Sequence, residues 1–433
     1  MSGRPETRGR RDARVCETRT VRSYREILTL PGAWKFSAAG FLARSGAAMV
    51  GIGIVLMVSA LYGSYGLAGL VSASNGLGWA VGTAFLSHFV DRYGQRRVMY
   101  PAMLVSVGAL GLLVVLAVMR LPAWTLFAPA VVTGLAAGAP GALVRTRWNH
   151  VTSDPRQLHS AYALESTLDE LTFVVGPLVA TALSTGINPV AALVAPIVIT
   201  LVGSHLFYGQ RESEPPLSRP AEHPRRGIGQ LLPFVPGVGP VVLVNVLMGC
   251  AFGGMSVSVV AATSQWGVRQ ATGFVLGAFS VASGASGFWY GTRAWASSLP
   301  VRLAGGVTAL AVFASGLLFT QSVLPLLVVG MLFGATVAPT FINGNSAVAR
   351  IVPRHRLTEG LAWMGTGVGV GVSIGQSVSG QVIDRVGYRG GFVTVVCSAA
   401  IAAVIALAGL PFVRRALAAV PGDVSPHAPA DVG

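Results

Sequence analysis

"DRYGQRRV", Asp91 to Val98, packs one acid and three arginines into eight residues of a chain that is only 11% charged. It separates two apolar runs, Gly66–Phe89 and Val98–Val118. A soluble domain carries about 25% charged residues. A chain of 433 residues that is 52% hydrophobic lacks the charge to cover water-facing domains, so its solvent is lipid. On that reading the charged packet is a loop at a membrane surface, and the runs on either side are membrane spans.

A spanning helix needs about 20 mostly apolar residues. Twelve windows qualify: 39–62, 66–89, 98–118, 123–144, 158–184, 187–209, 231–262, 270–292, 302–320, 323–347, 357–382 and 391–413. Hydrocarbon offers no partner for backbone groups, so these windows are expected to be helices. They are continuous and too long for the alternating strands of a porin. The expected fold class is an all-α membrane protein.

Arginine placement gives an orientation. With an even number of spans both termini share one side. That side, with the loops after even-numbered spans, carries 26 Lys and Arg; the other side carries four, Arg120, Arg269, Arg385 and Arg389. The rich side is expected to be cytoplasmic. The formal charge of +15 is thereby accounted for by topology and anionic headgroups, without nucleic acid. The expected organisation is a basic cytoplasmic tail (1–36), a six-span half (37–209), a cytoplasmic loop (210–230), a second six-span half (231–415) and a short tail (416–433), in the plasma membrane.

Cys16, Cys250 and Cys397 match no metal-ligand spacing. No phosphate-binding Gly-Lys loop, HExxH, GxSxG or dinucleotide pattern stands in a cytoplasmic segment. The 210–230 loop is Pro-rich and too short to fold. Neither an enzyme, a cofactor nor a metal site is expected. The two halves echo each other: "YGQR" (93–96) with "YGTR" (290–293), and "VVGPLVA" (174–180) with "SIGQSVS" (373–379), at offsets of 197 and 199. Parallel six-helix repeats are an architecture of secondary transporters.

The stretch "SHFVDRYGQRRVM" (87–99), in the loop after span 2 of twelve, resembles the signature of the major facilitator superfamily. Asp91, Arg92, Gly94, Arg96 and Arg97 match that motif, and Ser87 stands where its first glycine is usual. A second copy near Gly287 keeps Gly287, Gly291 and Arg293 and lacks the acid. The resemblance covers about 35 to 415. It implies two pseudo-symmetric six-helix bundles and a transporter working by alternating access. It also implies that Asp91 meets the start of span 11 at "RLTEG" (356–360) and latches a cytoplasmic gate. "VVGPLVA" resembles part of the antiporter signature of bacterial drug/proton exchangers, with Gly176 and Pro177 matching as a helix-kink pair.

Span 5 carries "ESTLDE", Glu165 to Glu170. An acid near the bilayer centre costs about 2.5–3.5 kcal/mol even on the mildest scale, so it needs a partner, water or a proton. Glu165, Asp169, Thr172 and Gly176 share one helix face, and Glu170 is turned away from it by about 100°. Arg44 in span 1 lies at a depth comparable to Glu165. An Arg44–Glu165 ion pair fits, with Arg145 and Arg147 at the end of span 4 as competing partners. The acids either brace the first half or include a proton-coupling group; Glu170 is the first candidate, Asp169 the second, Glu165 the third.

By family resemblance spans 1, 4, 7 and 10 line the substrate cavity. Ser59, Asn245, Met248, Asn343 and Asn345 are its candidates, the amides foremost because they want partners in hydrocarbon. So few charges argue against sugars, phosphates and peptides. The expectation is a monomeric, proton-coupled efflux antiporter for small, weakly polar or cationic compounds. An uptake symporter or uniporter is the alternative, and a non-transporting membrane sensor or scaffold a second one. Partners expected are the substrate, protons and the lipid bilayer.

Overall fold

The computed structural model describes residues 26–216, 237–293, 295–352 and 357–418. Most of the 1–36 tail with Cys16, the greater part of the 210–230 loop, Arg356 and nearly all of the 416–433 tail lie outside these residues. The described residues contain helices and turns and no strand.

Chain order in the first half is α1 (Ala33–Tyr62), α2 (Tyr65–Tyr93), α3 (Gln95–Val118), α4 (Phe127–Ala137), α5 (Pro140–Val151), α6 (Pro155–Gly186) and α7 (Ala191–Gly209). The second half contains α8 (Val238–Gln265), α9 (Ala271–Gly291), α10 (Leu299–Ser315), α11 (Val323–Ile351), α12 (Leu357–Val386) and α13 (Tyr388–Ala418). Among the described residues, ten stretches are long and apolar enough to cross a membrane, with α4 and α5 counted as one. The long helices α2 and α12, of 29 and 30 residues, complete twelve. The protein is an all-α membrane protein.

Span 4 differs from expectation. The window 123–144 reads as one helix, but α4 ends at Ala137 and α5 begins at Pro140. Gly138 takes φ 64° and ψ −158°, a backbone conformation that only glycine adopts freely. Pro140 has no N–H to continue the ladder and suits the first turn of a new helix. The break frees the Gly138 carbonyl, which accepts a 2.8 Å hydrogen bond from Trp79 Nε1 of α2.

The chain divides into two compact units. One comprises residues up to Leu61 and Gly78–Ala221; the other comprises Tyr62–Leu77 and the residues from Glu222 on. The first half of α2 therefore clusters with α8–α13. In the first unit, Phe36, Met99, Trp148 and Phe207 centre a buried core. There α2 approaches α4 so closely that a methyl at Gly82 would fall 2.1 Å from the Leu135 carbonyl oxygen. In the second unit α8 runs against α12 with the same intimacy. A methyl at Gly371 would meet Val246 O at 1.9 Å, and one at Gly375 would meet Cys250 O at 2.0 Å. Without a hydrophobic drive between helices in lipid, such backbone approach supplies much of the packing. Large apolar side chains are left outside, among them Phe288, Phe319, Leu324 and Trp124, as suits a surface solvated by lipid tails.

Candidate functional site

The charges of span 5 gather in the first unit. Glu165 of α6 is fully buried and every lone pair in use is matched to a donor. Its Oε1 accepts from Ser37 Oγ at 2.6 Å and from Trp148 Nε1 at 2.8 Å, and its Oε2 from Arg44 Nη2 at 2.5 Å. One turn on, Asp169 Oδ1 stands 3.0 Å from Arg44 Nη1, and its Oδ2 accepts from Arg145 Nη2 at 2.6 Å. Arg44 thus bridges both acids from α1, and Arg145 reaches Asp169 from α5. Two cations face two anions. Glu165 is sealed in, while Asp169 and Arg145 keep 28% and 33% of their side chains exposed.

The helical geometry accounts for the arrangement. Residues four apart share a face, so Glu165 and Asp169 both meet α1. Thr172 is buried further along, and Gly176 follows, with a methyl there in ordinary contact with Ala48 and Met49 of α1. Helix α6 continues unbroken through Pro177. Glu170, one residue past Asp169, lies on the exposed face with Ser166, Thr167 and Leu171. Among the described residues no hydrogen bond or ion pair reaches it.

Of the two competing arginines, Arg145 joins the cluster and Arg147 does not. Arg147 is fully buried and ties the signature loop to the end of α7. Its Nε donates to Gln95 Oε1 at 3.0 Å, and its Nη1 to Phe207 O at 3.0 Å and Ser213 Oγ at 2.9 Å. Its guanidinium also lies 3.8 Å from the centre of the Phe207 ring. Within the signature, Gly94 makes the turn at φ 91° and the backbone N–H of Arg96 donates to Glu214 Oε1 at 2.9 Å. Arg92 lies over the Tyr93 ring at 5.3 Å. Asp91, Arg92 and Arg97 are exposed. The expected partner segment of Asp91 begins at Arg356, outside the described residues.

The cavity candidates scatter. Asn343 of α11 is buried and its Oδ1 accepts from Tyr290 Oη at 3.0 Å. Asn245 of α8 is buried, with Nδ2 donating to Val241 O at 2.9 Å and contacting Met364 Sδ at 3.6 Å; among the described residues its Oδ1 has no hydrogen-bond partner. Met248 is buried, Asn345 is exposed, and Ser59 of α1 donates to its own helix at Val55 O, 2.6 Å. Both amides are therefore used, at least in part, to join or brace helices. Sequence reasoning missed Trp148 and Ser37 as donors to Glu165, and Gln95 as the partner of Arg147. Trp148 reads as an apolar residue, and only the indole N–H, which seeks a partner when buried, could have drawn attention to it.

The model of the Major Facilitator Superfamily matches residues 36–289 and 241–429. The chain belongs to this superfamily and is a membrane transporter, not an enzyme. Solved structures agree on the fold. A variant of the nucleoside transporter NupG superposes with a TM-score of 0.70 at 12% identity, over 88% of this chain and 99% of that one. The peptide transporter POT in complex with sulfate gives 0.67 at 12%, over 91% and 96%. A bacterial homologue of the iron transporter ferroportin in an inward-facing state gives 0.67 at 14%, over 87% and 98%. At such identities the likeness is one of fold. No curated protein sequence matches the chain significantly.

Proposed function

We propose that this transporter is a proton-coupled exchanger of the plasma membrane, with both termini cytoplasmic, that exports small, weakly polar or cationic compounds as a monomer. The single observation that carries the reading is the charge balance on α6. Arg44 and Arg145 match Glu165 and Asp169, and Glu170 is left over on the exposed face without a described partner. An unpaired carboxyl in a spanning helix lowers its cost by contact with water or by taking a proton. A group that does both by turns couples protons to whichever state opens it to water. One chain supplying both six-helix halves supports a monomer. The arginine bias supports the orientation. The few charges of the spans support small, weakly polar or cationic compounds over sugars, phosphates and peptides.

The test is transport in proteoliposomes under an imposed pH gradient, with ethidium as a lipophilic cation probe. Glu170→Gln is expected to abolish gradient-driven accumulation while leaving downhill counterflow. Ethidium moving together with protons, rather than against them, would turn the reading to symport. If Glu170→Gln still concentrates the probe at the native pH dependence, the coupling group lies elsewhere. If Asp169→Asn and Glu165→Gln also concentrate it, proton coupling through α6 is wrong.

A further inference from the structure

At the end of α2 remote from the signature, the carboxylate of Asp384 closes the first turn of the helix. Its Oδ1 accepts from the backbone N–H of Tyr65 at 2.7 Å, and its Oδ2 from that of Gly66 at 2.8 Å. The hydroxyl of Ser64 donates to Oδ2 at 2.6 Å while its oxygen accepts from Leu67 N–H at 3.0 Å. The first N–H groups of a helix have no partner within the helix, and the N-terminal dipole favours an anion. Here both needs are met by a residue more than 300 positions away, in the last turn of α12. Below this cap the helices touch through small residues. A methyl at Gly69 would fall 2.2 Å from Gln376 O, one at Gly380 would fall 2.3 Å from Tyr65 O, and one at Gly76 would fall 2.7 Å from Ser373 Oγ.

The local sequence around Asp384 repeats the signature. "DRVG" (384–387) stands at the end of α12 as "DRYG" (91–94) stands at the end of α2. Both tetrapeptides end in a glycine of positive φ, 91° at Gly94 and 77° at Gly387, and in both the glycine N–H closes on the carbonyl four residues back at 2.8 Å. Each is followed at once by the next helix. The same device is thus used twice, at the C-terminal ends of two helices, and one copy is seen holding the N-terminus of the other helix.

We propose that Asp384 is a gate residue: its cap on α2 latches the α2–α12 contact shut on the extracytoplasmic side and releases when the transporter turns outward. The proposal rests on the alternating cycle and orientation given above, but not on proton coupling. Gly66, Gly69, Gly76 and Gly380 then serve as a seam that is tight when closed and, lacking side chains, opens without leaving large apolar groups unpacked.

The test needs neither substrate nor gradient. Ser373→Cys, in full-length protein whose native cysteines are replaced, puts a thiol in the seam, where Ser373 is 2% exposed. A membrane-impermeant maleimide added to intact cells reads its accessibility. Asp384→Ala is expected to raise the labelling rate by about tenfold, the effect of losing a hydrogen bond to a charged group, and Ser64→Ala by less. Size-exclusion profiles report folding; if Asp384→Ala does not fold, the Ser64→Ala rate decides. Unchanged labelling in the folded variants would overturn the latch. So would labelling that rises only in step with loss of the monodisperse peak, since Asp384 would then be a staple of the fold. Absence of proton coupling in the native protein, with the labelling rise still seen in Asp384→Ala, would sink the exchanger reading and leave the latch standing.

Discussion

The two units solve the same packing problem with different chemistry. The charged residues most deeply buried among those described, Arg44, Arg147 and Glu165, all belong to the first. The second buries Asn245, Thr263, Asn343, Ser373 and Ser379 instead, and brings α8 and α12 together through Gly249, Gly253, Gly371 and Gly375. The first unit adds directional bonds between ions to its close helix contacts, and such bonds are costly when broken. In the second, among the described residues, the α8–α12 contact runs through backbone and glycine with no ion pair in it.

The largest effect expected from breaking this contrast comes from the ion cluster. Glu165→Leu leaves the Arg44 guanidinium facing Asp169 alone and strips Ser37 and Trp148 of their acceptor. Breaking a buried pair from one side costs about 3–5 kcal/mol. Folded yield and thermal midpoint in detergent should fall steeply. Arg44→Leu/Glu165→Leu should recover much of the loss, because no uncompensated charge remains at Glu165. Additive losses in the double-mutant cycle would mean that the two residues act separately.

The complementary blow falls on the second unit. Gly371→Ala adds a methyl 1.9 Å from the Val246 carbonyl, and backbone cannot step aside as a side-chain tip can. Overpacking of this kind costs about 1–3 kcal/mol. Its thermal midpoint should drop by the same amount at pH 5 and pH 8, since the nearest atoms are backbone of Val246 and Cys250 and no carboxylate or basic side chain is among them. A drop that depends on pH would show that the glycine seam is coupled to the charges after all, and would erase the contrast.

Much of this was legible in the sequence, for a physical reason. Apolar runs long enough to cross lipid leave the backbone one choice, so ten of the spans stand out by length and apolarity alone, and the more polar α2 and α12 are read from their length between them. The signature at Asp91–Arg97 then names the superfamily. The meeting of Arg44 with Glu165 was readable from depth, because a deep cation and a deep anion cannot ignore each other. Span 4 was misread because "GAPG" (138–141) lies inside an apolar stretch, and hydropathy is blind to a backbone break whose side chains are small. The roles of Ser37, Trp148 and Arg147 were hidden for another reason. Each depends on which residue of a distant helix stands opposite, and that is fixed by packing, not by local pattern. Asp384 is hidden in the same way, because nothing local says that the start of α2 stands opposite it.

The smallest effect expected concerns that break. Trp79 lies in the part of α2 that packs on α4, and its indole N–H is the donor for the carbonyl freed at Gly138. Trp79→Phe keeps an aromatic ring of similar position and removes the donor alone. A neutral hydrogen bond contributes about 0.5–1.5 kcal/mol, and Trp79 is 43% exposed, so the loss should lie at the lower end. The global midpoint should barely move. What should change is local: Ala139 to Leu143 carry the start of α5, and α5 carries Arg145, Arg147 and Trp148 to their partners. Hydrogen–deuterium exchange should quicken over that turn and stay unchanged over α11, whose helix is continuous through Pro339. Equal quickening in both would mean that proline alone loosens the backbone at these places. In that case the Trp79 bond is incidental, and the first unit's charges are placed by the packing of α5 itself.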